Sequence, residues 1–151
     1  MPYRDSHAGS HLVAETSTKV GPLQNPHNDI ILIGAALEKL NFKVTLVRDA
    51  DYRSTNAAIK RHIAALRREA QGAISVFYYS GHGAANSETK VNYLIPVDVT
   101  DADEKDLWLY SINLNTLVEN LRAQAPGATH YVIFDACRNE LNLTGRGQKA
   151  H

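Results

Sequence analysis

Two short segments of the sequence combine residue types that can together break an amide bond. The first, "YYSGHG" at 78–83, holds His82 between two glycines, and the second, "VIFDACRN" at 132–139, contains Cys137, the single cysteine of the chain. A thiolate can attack a carbonyl carbon, and an imidazolium can give a proton to the departing amine. The pair predicts cysteine-dependent hydrolysis, with Cys137 as nucleophile and His82 as acid and base.

Glycine at position 83 adds a second part of this chemistry. Because Gly83 has no side chain, its backbone N–H can approach the oxyanion that forms during attack, and the N–H of Cys137 is the second expected donor. Taken singly, His82 is better explained as a little-buried turn residue and Cys137 as a buried thiol at a strand end. Their occurrence together favours catalysis.

The elements around these segments predict an α/β fold. Four strands are expected, at 42–47, 73–79, 92–99 and 130–137. The run 73–79 is apolar on both faces, as a central parallel strand covered by helices requires. Strands alternating with helices indicate a mostly parallel sheet with helices on both faces. Since parallel strands end at one sheet edge, we expect His82 and Cys137, each just past a strand end, to meet there.

Three helices are expected between these strands. The first begins with the capping residue Asn25 and ends near Asn41, the second begins with Ser54 and ends at Gly72, and the third stops before Pro126. Residues 1–24 show little periodicity and are expected to be an irregular lead-in. The acidic stretch 100–106 is expected to be a solvated connection.

Composition limits the range of functions. The chain of 151 residues fits one domain, and its 16 basic and 16 acidic residues leave no net charge, which favours neither nucleic acid nor an anionic membrane as partner. No apolar run reaches the roughly 18 residues that a membrane helix needs. No secretory signal pattern is visible, so a cytoplasmic location is expected. A single cysteine excludes an internal disulfide.

The paired segments resemble the catalytic segments of the caspase and metacaspase superfamily of cysteine endopeptidases. The caspase signature is Q-A-C-[RQG]-G, with a histidine about 50 residues upstream. This chain keeps "ACR", with His82 55 positions before Cys137, but has Asp135 in place of the glutamine and Asn139 in place of the glycine. These differences favour the metacaspase and bacterial caspase-like branch. The resemblance implies a caspase-like three-layer sandwich over residues 25–145, followed by a tail at 146–151.

The resemblance also implies a substrate pocket. In metacaspases the residue before the cut enters a pocket made by residues that correspond here to Asp29, Ser80 and Asp135. Two carboxylates and a hydroxyl suit a guanidinium or ammonium group, so a protein or peptide substrate with Arg or Lys before the cut is expected. The alternative is structural: Asp29 favours a helix N-terminus and Asp135 forms loop hydrogen bonds.

Two family features lack a clear match in the sequence. Family members open with an apolar inner strand, which "MPYRDSHAGSHLVAE" does not supply unless "HLVAE" substitutes for it, so the sheet is expected to lack an inner strand. Only 14 residues follow Cys137, so the family's small-subunit region is not visible. Association with such a region, or a homo-oligomer, is therefore expected.

Calcium is the one cofactor that the resemblance raises, because some metacaspases bind it through clustered acidic residues. The candidates here are Asp98, Asp101, Asp103, Glu104 and Asp106. A solvated acidic loop explains them better, so no metal is assigned and no cofactor is expected.

Other functional classes fit less well. A serine hydrolase needs G-x-S-x-G, whereas Tyr78 stands where the first glycine should precede Ser80. A nucleotide-binding module needs a Gly-rich loop, and neither G-x-G-x-x-G nor G-x-x-x-x-G-K-[ST] occurs in the sequence. The remaining alternative is a caspase-like interaction module without turnover, which would bind partners through an open sheet edge.

Overall fold

The computed structural model describes residues 10–14, 26–69, 71–99 and 104–138, which contain six strands and four helices. In chain order these are β1 (Ser10–Ala14), α1 (Pro26–Lys39), β2 (Val44–Arg48), α2 (Tyr52–Leu66), β3 (Ile74–Ala85), β4 (Asn92–Leu94), α3 (Glu104–Leu109), β5 (Ile112–Asn113), α4 (Leu114–Gln124) and β6 (Thr129–Arg138). None of the helices in these ranges combines the length and apolar character needed to cross a bilayer.

The strands form one mixed sheet around β3. β6 runs parallel along one edge of β3, while β1 runs parallel along the other edge and carries β2 on its outer side. Beyond the end of β1, β4 pairs antiparallel with the last residues of β3, and β5 is antiparallel to β4. The predicted parallel arrangement is confirmed for β2, β1, β3 and β6, whereas β4 and β5 make the sheet mixed.

β1 corrects the expectation that the sheet lacks an inner strand. Residues 10–14, within the predicted irregular lead-in, lie between β2 and β3 and pair in parallel with both. The "HLVA" of the "HLVAE" alternative therefore supplies the inner strand. Its own pattern is short and weak, and pairing on both edges determines its conformation more than local propensity does.

β3 and β6 are both longer than predicted. β3 continues through Gly81 and Gly83 to Ala85, and β6 continues to Arg138, so His82 and Cys137 lie inside strands and not past their ends. The glycines do not end β3 because β6 and β4 give this part of its backbone pairing partners on both edges.

Three other boundaries differ from the sequence predictions. α2 begins one turn early, because the Asp51 carboxylate accepts a hydrogen bond from the Ser54 N–H at 2.6 Å and is the actual cap. α2 ends at Leu66, well before Gly72, and the following residues form tight turns. β4 ends at Leu94, two residues before Pro96, which has no N–H to donate to a ladder. The structure also adds α3, in the predicted acidic connection, and β5.

The core has a layer on each side of the sheet. Phe77 and Tyr79 of β3 point to one face, where they pack with apolar residues of α2 and α4, including Ile63 and Leu121. Tyr78 points to the opposite face, where it packs against Ile30 of α1. The predicted three-layer arrangement with helices on both faces is therefore confirmed.

The end of α1 is fixed by its backbone. Asn41 adopts a left-handed conformation with φ 62°, the Asn41 N–H donates to the Glu38 carbonyl at 2.9 Å, and the Phe42 N–H donates to the Leu37 carbonyl at 3.0 Å. This pair of bonds is a Schellman motif. It ends the helix where the sequence predicted and turns the chain into β2.

Replacing Asn41 tests this turn. A β-branched residue is strained at positive φ, so Asn41→Val should lower the free energy of unfolding by about 1 to 2 kcal/mol, while Asn41→Gly should not lower it. Urea denaturation measures both. Equal stability of the two variants would contradict the assigned turn.

Candidate active site

The parallel register of β3 and β6 brings together residues that are far apart in sequence. Ser80 is the register partner of Asp135, and His82 is the partner of Cys137. Register partners on neighbouring strands lie on the same face of a sheet, and alternate residues of a strand share a face. All four residues therefore belong to one face, which is the face that carries α1. Gly83 and Cys137, the expected oxyanion donors, lie on neighbouring rungs.

His82 is fixed through its own backbone. Its carbonyl oxygen accepts a hydrogen bond from the Tyr79 hydroxyl at 2.6 Å and another from the Ile95 N–H at 3.0 Å. The residue is only 4% exposed. The sequence expectation of a little-buried histidine in a turn is therefore wrong, because the continuing strand and the segment after β4 enclose it.

Tyr79 is the residue that connects His82 to the core. Its ring is fully buried and stacks on Phe134 of β6, with ring centroids 5.7 Å apart and an angle of 20° between the planes. A buried tyrosine needs a partner for its hydroxyl, and here the carbonyls of His82 and Ile95 accept, the latter at a longer 3.3 Å. The ring packing therefore determines where the His82 backbone lies.

Gly83 is required for packing independently of any part in catalysis. A Cβ at this position would lie 2.6 Å from the Phe134 ring and 3.0 Å from the Ala136 Cβ. Because the Phe134 ring is stacked on Tyr79, it has little freedom to move away. The absence of a side chain at position 83 thus lets β6 approach β3 at the rungs of the candidate site.

The expected pocket residues all affect the hydroxyl of Tyr78, and Asp135 contacts it. That hydroxyl donates to Asp135 Oδ2 at 3.3 Å. Burial raises the pKa of Tyr78 above its usual value, the negative charge of Asp135 raises it further, a hydrogen bond with the Ser80 side chain lowers it, and the charge of Asp29 adds a smaller increase. Asp29, Ser80 and Asp135 therefore all lie close enough to act on one phenol.

Helix packing brings Asp29 to this group. Asp29 lies in the first turn of α1, next to Ile30, which is fully buried and packs on the Tyr78 ring. Asp135 is exposed, Asp29 is half-buried and Ser80 is only 4% exposed. A ligand would therefore reach the two carboxylates first, and Ser80 lies deeper, beside Tyr78.

Tyr78 and Tyr79 are the residues of this site that the sequence analysis missed. They stand next to Ser80 in "YYSGHG", where the sequence pattern identifies them only as apolar residues of a central strand. One signal was available: two hydroxyls within a strand covered on both faces need polar partners. The partners come from β6 and from the segment after β4, so only the tertiary structure identifies them.

Of the five acidic residues considered for calcium, only Asp98 has a side chain that the structure describes. The Asp98 carboxylate accepts a hydrogen bond from the Tyr52 N–H at 2.9 Å and so caps the N-terminal turn of α2 together with Asp51. Asp101 and Asp103 lie outside the described residues. Among the described residues, no group of three or more His, Cys, Asp and Glu side chains is arranged to hold a metal.

The described elements form a three-layer α/β sandwich with His82 and Cys137 on one rung of two neighbouring strands. A family model described as the caspase domain matches residues 14–150, and the chain therefore belongs to this family of cysteine peptidases, which act on proteins. No curated protein matches the chain.

The packing at Gly83 can be tested by substitution. Gly83→Ala should lower the free energy of unfolding by about 1 to 3 kcal/mol, the usual effect of overpacking, because the added methyl overlaps the Phe134 ring. Phe134→Leu in the same chain should recover part of this loss. Urea denaturation of wild type, both single variants and the double variant measures the coupling. If the stability losses of the two single variants simply add in the double variant, the Phe134 ring is not the group that excludes a side chain at position 83.

The surroundings of Tyr78 predict its titration. Tyr78 should ionise above the usual value of about 10, and since the folded chain then keeps a proton that the unfolded chain loses, this group lowers stability as pH rises above about 10. Asp135→Asn should bring the Tyr78 pKa down but leave it raised, because burial, the larger cause, remains. NMR titration of chains labelled at tyrosine ¹³Cζ, with Tyr78→Phe for assignment, measures this.

Glu119→Gln, on the exposed side of α4, is the matched control for removing a carboxylate. It should leave the Tyr78 pKa unchanged. A Tyr78 pKa that responds to neither substitution would exclude the contact with Asp135.

Proposed function

We propose that this domain is a cysteine endopeptidase that uses Cys137 and His82 and cuts after Arg or Lys. The observation that carries the proposal is the register of β3 and β6, which pairs His82 with Cys137 and, two residues earlier, Ser80 with Asp135. Two neighbouring strands thus carry the proposed nucleophile, the proposed base and two of the three proposed pocket residues.

The proposed reaction follows from these positions. The Cys137 thiolate attacks the carbonyl carbon, and the N–H groups of Gly83 and Cys137 stabilise the oxyanion. His82, as imidazolium, gives its proton to the departing amine, which leaves a thioester on Cys137. His82 then takes a proton from water, which attacks the thioester and releases the acid. These groups perform the reaction without a metal or another cofactor.

The specificity rests on charge. Of the side chains that the structure describes, no lysine or arginine forms an ion pair with Asp29 or Asp135. A cationic side chain of a substrate would be attracted by the negative charges of both carboxylates. Arginine should bind better than lysine, because a planar guanidinium can engage a carboxylate through two hydrogen bonds.

The free edge of β6 supports a partner chain. Within the described residues β6 pairs with β3 alone, and Tyr131 and Ile133 of β6 are 54% and 47% exposed on the face of the candidate site. We propose that a small-subunit region, or a second copy of the chain, adds to this edge. The same edge favours the second candidate function, a caspase-like interaction module without turnover.

For the enzyme we propose a reducing, cytoplasmic setting, in which the Cys137 thiol stays reduced.

Labelling with an arginyl peptide chloromethyl ketone tests the proposal that this domain is a cysteine peptidase. The chain should be alkylated at Cys137, and Cys137→Ala should not be labelled. Asp135→Asn and Asp29→Asn should each slow labelling by about 10-fold, the lower range for a charge-assisted hydrogen bond, because Asp135 is exposed. Mass spectrometry gives the rate and the site.

Cleavage of substrates with Arg, Lys, Asp or Ala before the cut completes this test, with Glu119→Gln as the charge control. A preference for Asp, or Arg rates unchanged in both Asn variants, would contradict the pocket. Binding of partner chains along β6 without any labelling of Cys137 would favour the interaction module.

A further inference from the structure

We propose that the two adjacent tyrosines of β3 divide the positioning of the site between them: Tyr79 holds His82 for the chemical step, and Tyr78 holds Asp135 for selection of a basic side chain. This inference rests on the proposed function. It assigns roles to two residues that do not themselves react with the substrate.

Tyr79 acts through the backbone. Its hydroxyl donates to the His82 carbonyl at 2.6 Å, the shorter of its two contacts with carbonyl oxygens. The His82 residue is held from one further direction by the Ile95 N–H at 3.0 Å. Losing the hydroxyl would remove the shorter of these two contacts with the His82 carbonyl, so the backbone at His82 would be held less firmly against its rung partner on β6. Acid–base catalysis depends on such sub-ångström placement.

Tyr78 acts through a side chain. Its hydroxyl is the donor to Asp135 Oδ2 at 3.3 Å, and its ring is held by Ile30 of α1. Asp135 is exposed, so without this bond its carboxylate would sample other rotamers before binding a substrate. Tyr78 therefore orders the carboxylate in advance, and because α1 packs on the same ring, it also sets the position of Asp29 relative to Asp135.

The two roles are separable because neighbouring residues of a strand point to opposite faces. Tyr79 lies in the core with Phe134, whereas Tyr78 lies on the face that carries Ser80 and Asp135. Removing one hydroxyl leaves the other ring and its contacts in place. Phenylalanine keeps the buried ring in both cases, so the two substitutions are matched.

The experiment measures second-order rates of Cys137 alkylation by two peptide chloromethyl ketones that differ only in carrying Arg or Ala at the last residue. In this reaction the thiolate sulfur forms a bond to the methylene carbon and chloride leaves. Tyr79→Phe should slow both reagents by a similar factor, about 3- to 10-fold. Tyr78→Phe should lower the ratio of the Arg rate to the Ala rate by about 3- to 10-fold.

Tyr110→Phe is the control, because Tyr110 is 48% exposed and lies in the turn between α3 and β5, outside the candidate site and the free edge of β6. It should change neither rate. The urea midpoint of every variant separates positioning from stability: a merely structural role for either tyrosine would lower the midpoint and leave the rates in native buffer unchanged. That result would overturn the corresponding assignment.

Alkylation also separates this inference from the proposed function. If the wild-type chain is alkylated but cleaves no arginyl peptide, the peptidase proposal fails, and the rates of the tyrosine variants still decide the positioning roles. A lower Arg/Ala ratio in Tyr79→Phe, or equal slowing of both reagents in Tyr78→Phe, would overturn the division of roles. Failure of both ketones to label Cys137 in the wild-type chain would overturn it as well.

Discussion

The parallel pairing of β3 with β6 is the constraint on which the candidate site depends. A shift of one residue along this ladder would pair Ser80 with Ala136 and move every residue of β6 to the other face of the sheet. The core face prevents such a shift. Tyr79 stacks on its own rung partner Phe134, and the space over Gly83 accepts the edge of that ring. The packing on one face therefore fixes the register that the opposite face uses.

β3 thus contributes one face to the hydrophobic core and the other face to the candidate site. Its odd-numbered residues from Ser75 to Tyr79 are buried on the face that carries α2 and α4, and its even-numbered residues from Tyr78 to His82 belong to the candidate site. Placing the site on paired strands, and not on loops, restricts its residues to positions that the ladder determines. It also explains the burial of His82, which follows from continuing the strand through two glycines.

The sequence allowed the class of fold to be predicted, because periodicity is local, and the residue types at 80–83 and 135–137 allowed a hypothesis for the site. It did not allow the strand ends to be predicted. Gly81 and Gly83 are typical of a turn, yet they remain in the ladder because β4 and β6 supply partners from elsewhere in the chain. For the same reason the sequence offers β1 only as an alternative, since its conformation depends on pairing with β2 and β3. The roles of Tyr78 and Tyr79 depend on acceptors contributed by Asp135 and by the segment after β4.

The electrostatics around Tyr78 connect the construction of the proposed pocket to its proposed selectivity. Asp29 and Asp135 approach Tyr78 from a helix and from a strand, and both disfavour the ionised phenol, as burial does. Tyr78 therefore stays neutral through the physiological range and remains a hydrogen-bond donor, so it orders a carboxylate without adding a negative charge. A phenylalanine would leave that carboxylate without its donor, and an acidic residue would add to the repulsion. The proposed selectivity for a basic side chain rests on the same two carboxylates, because a cationic group is the one that their negative charges attract.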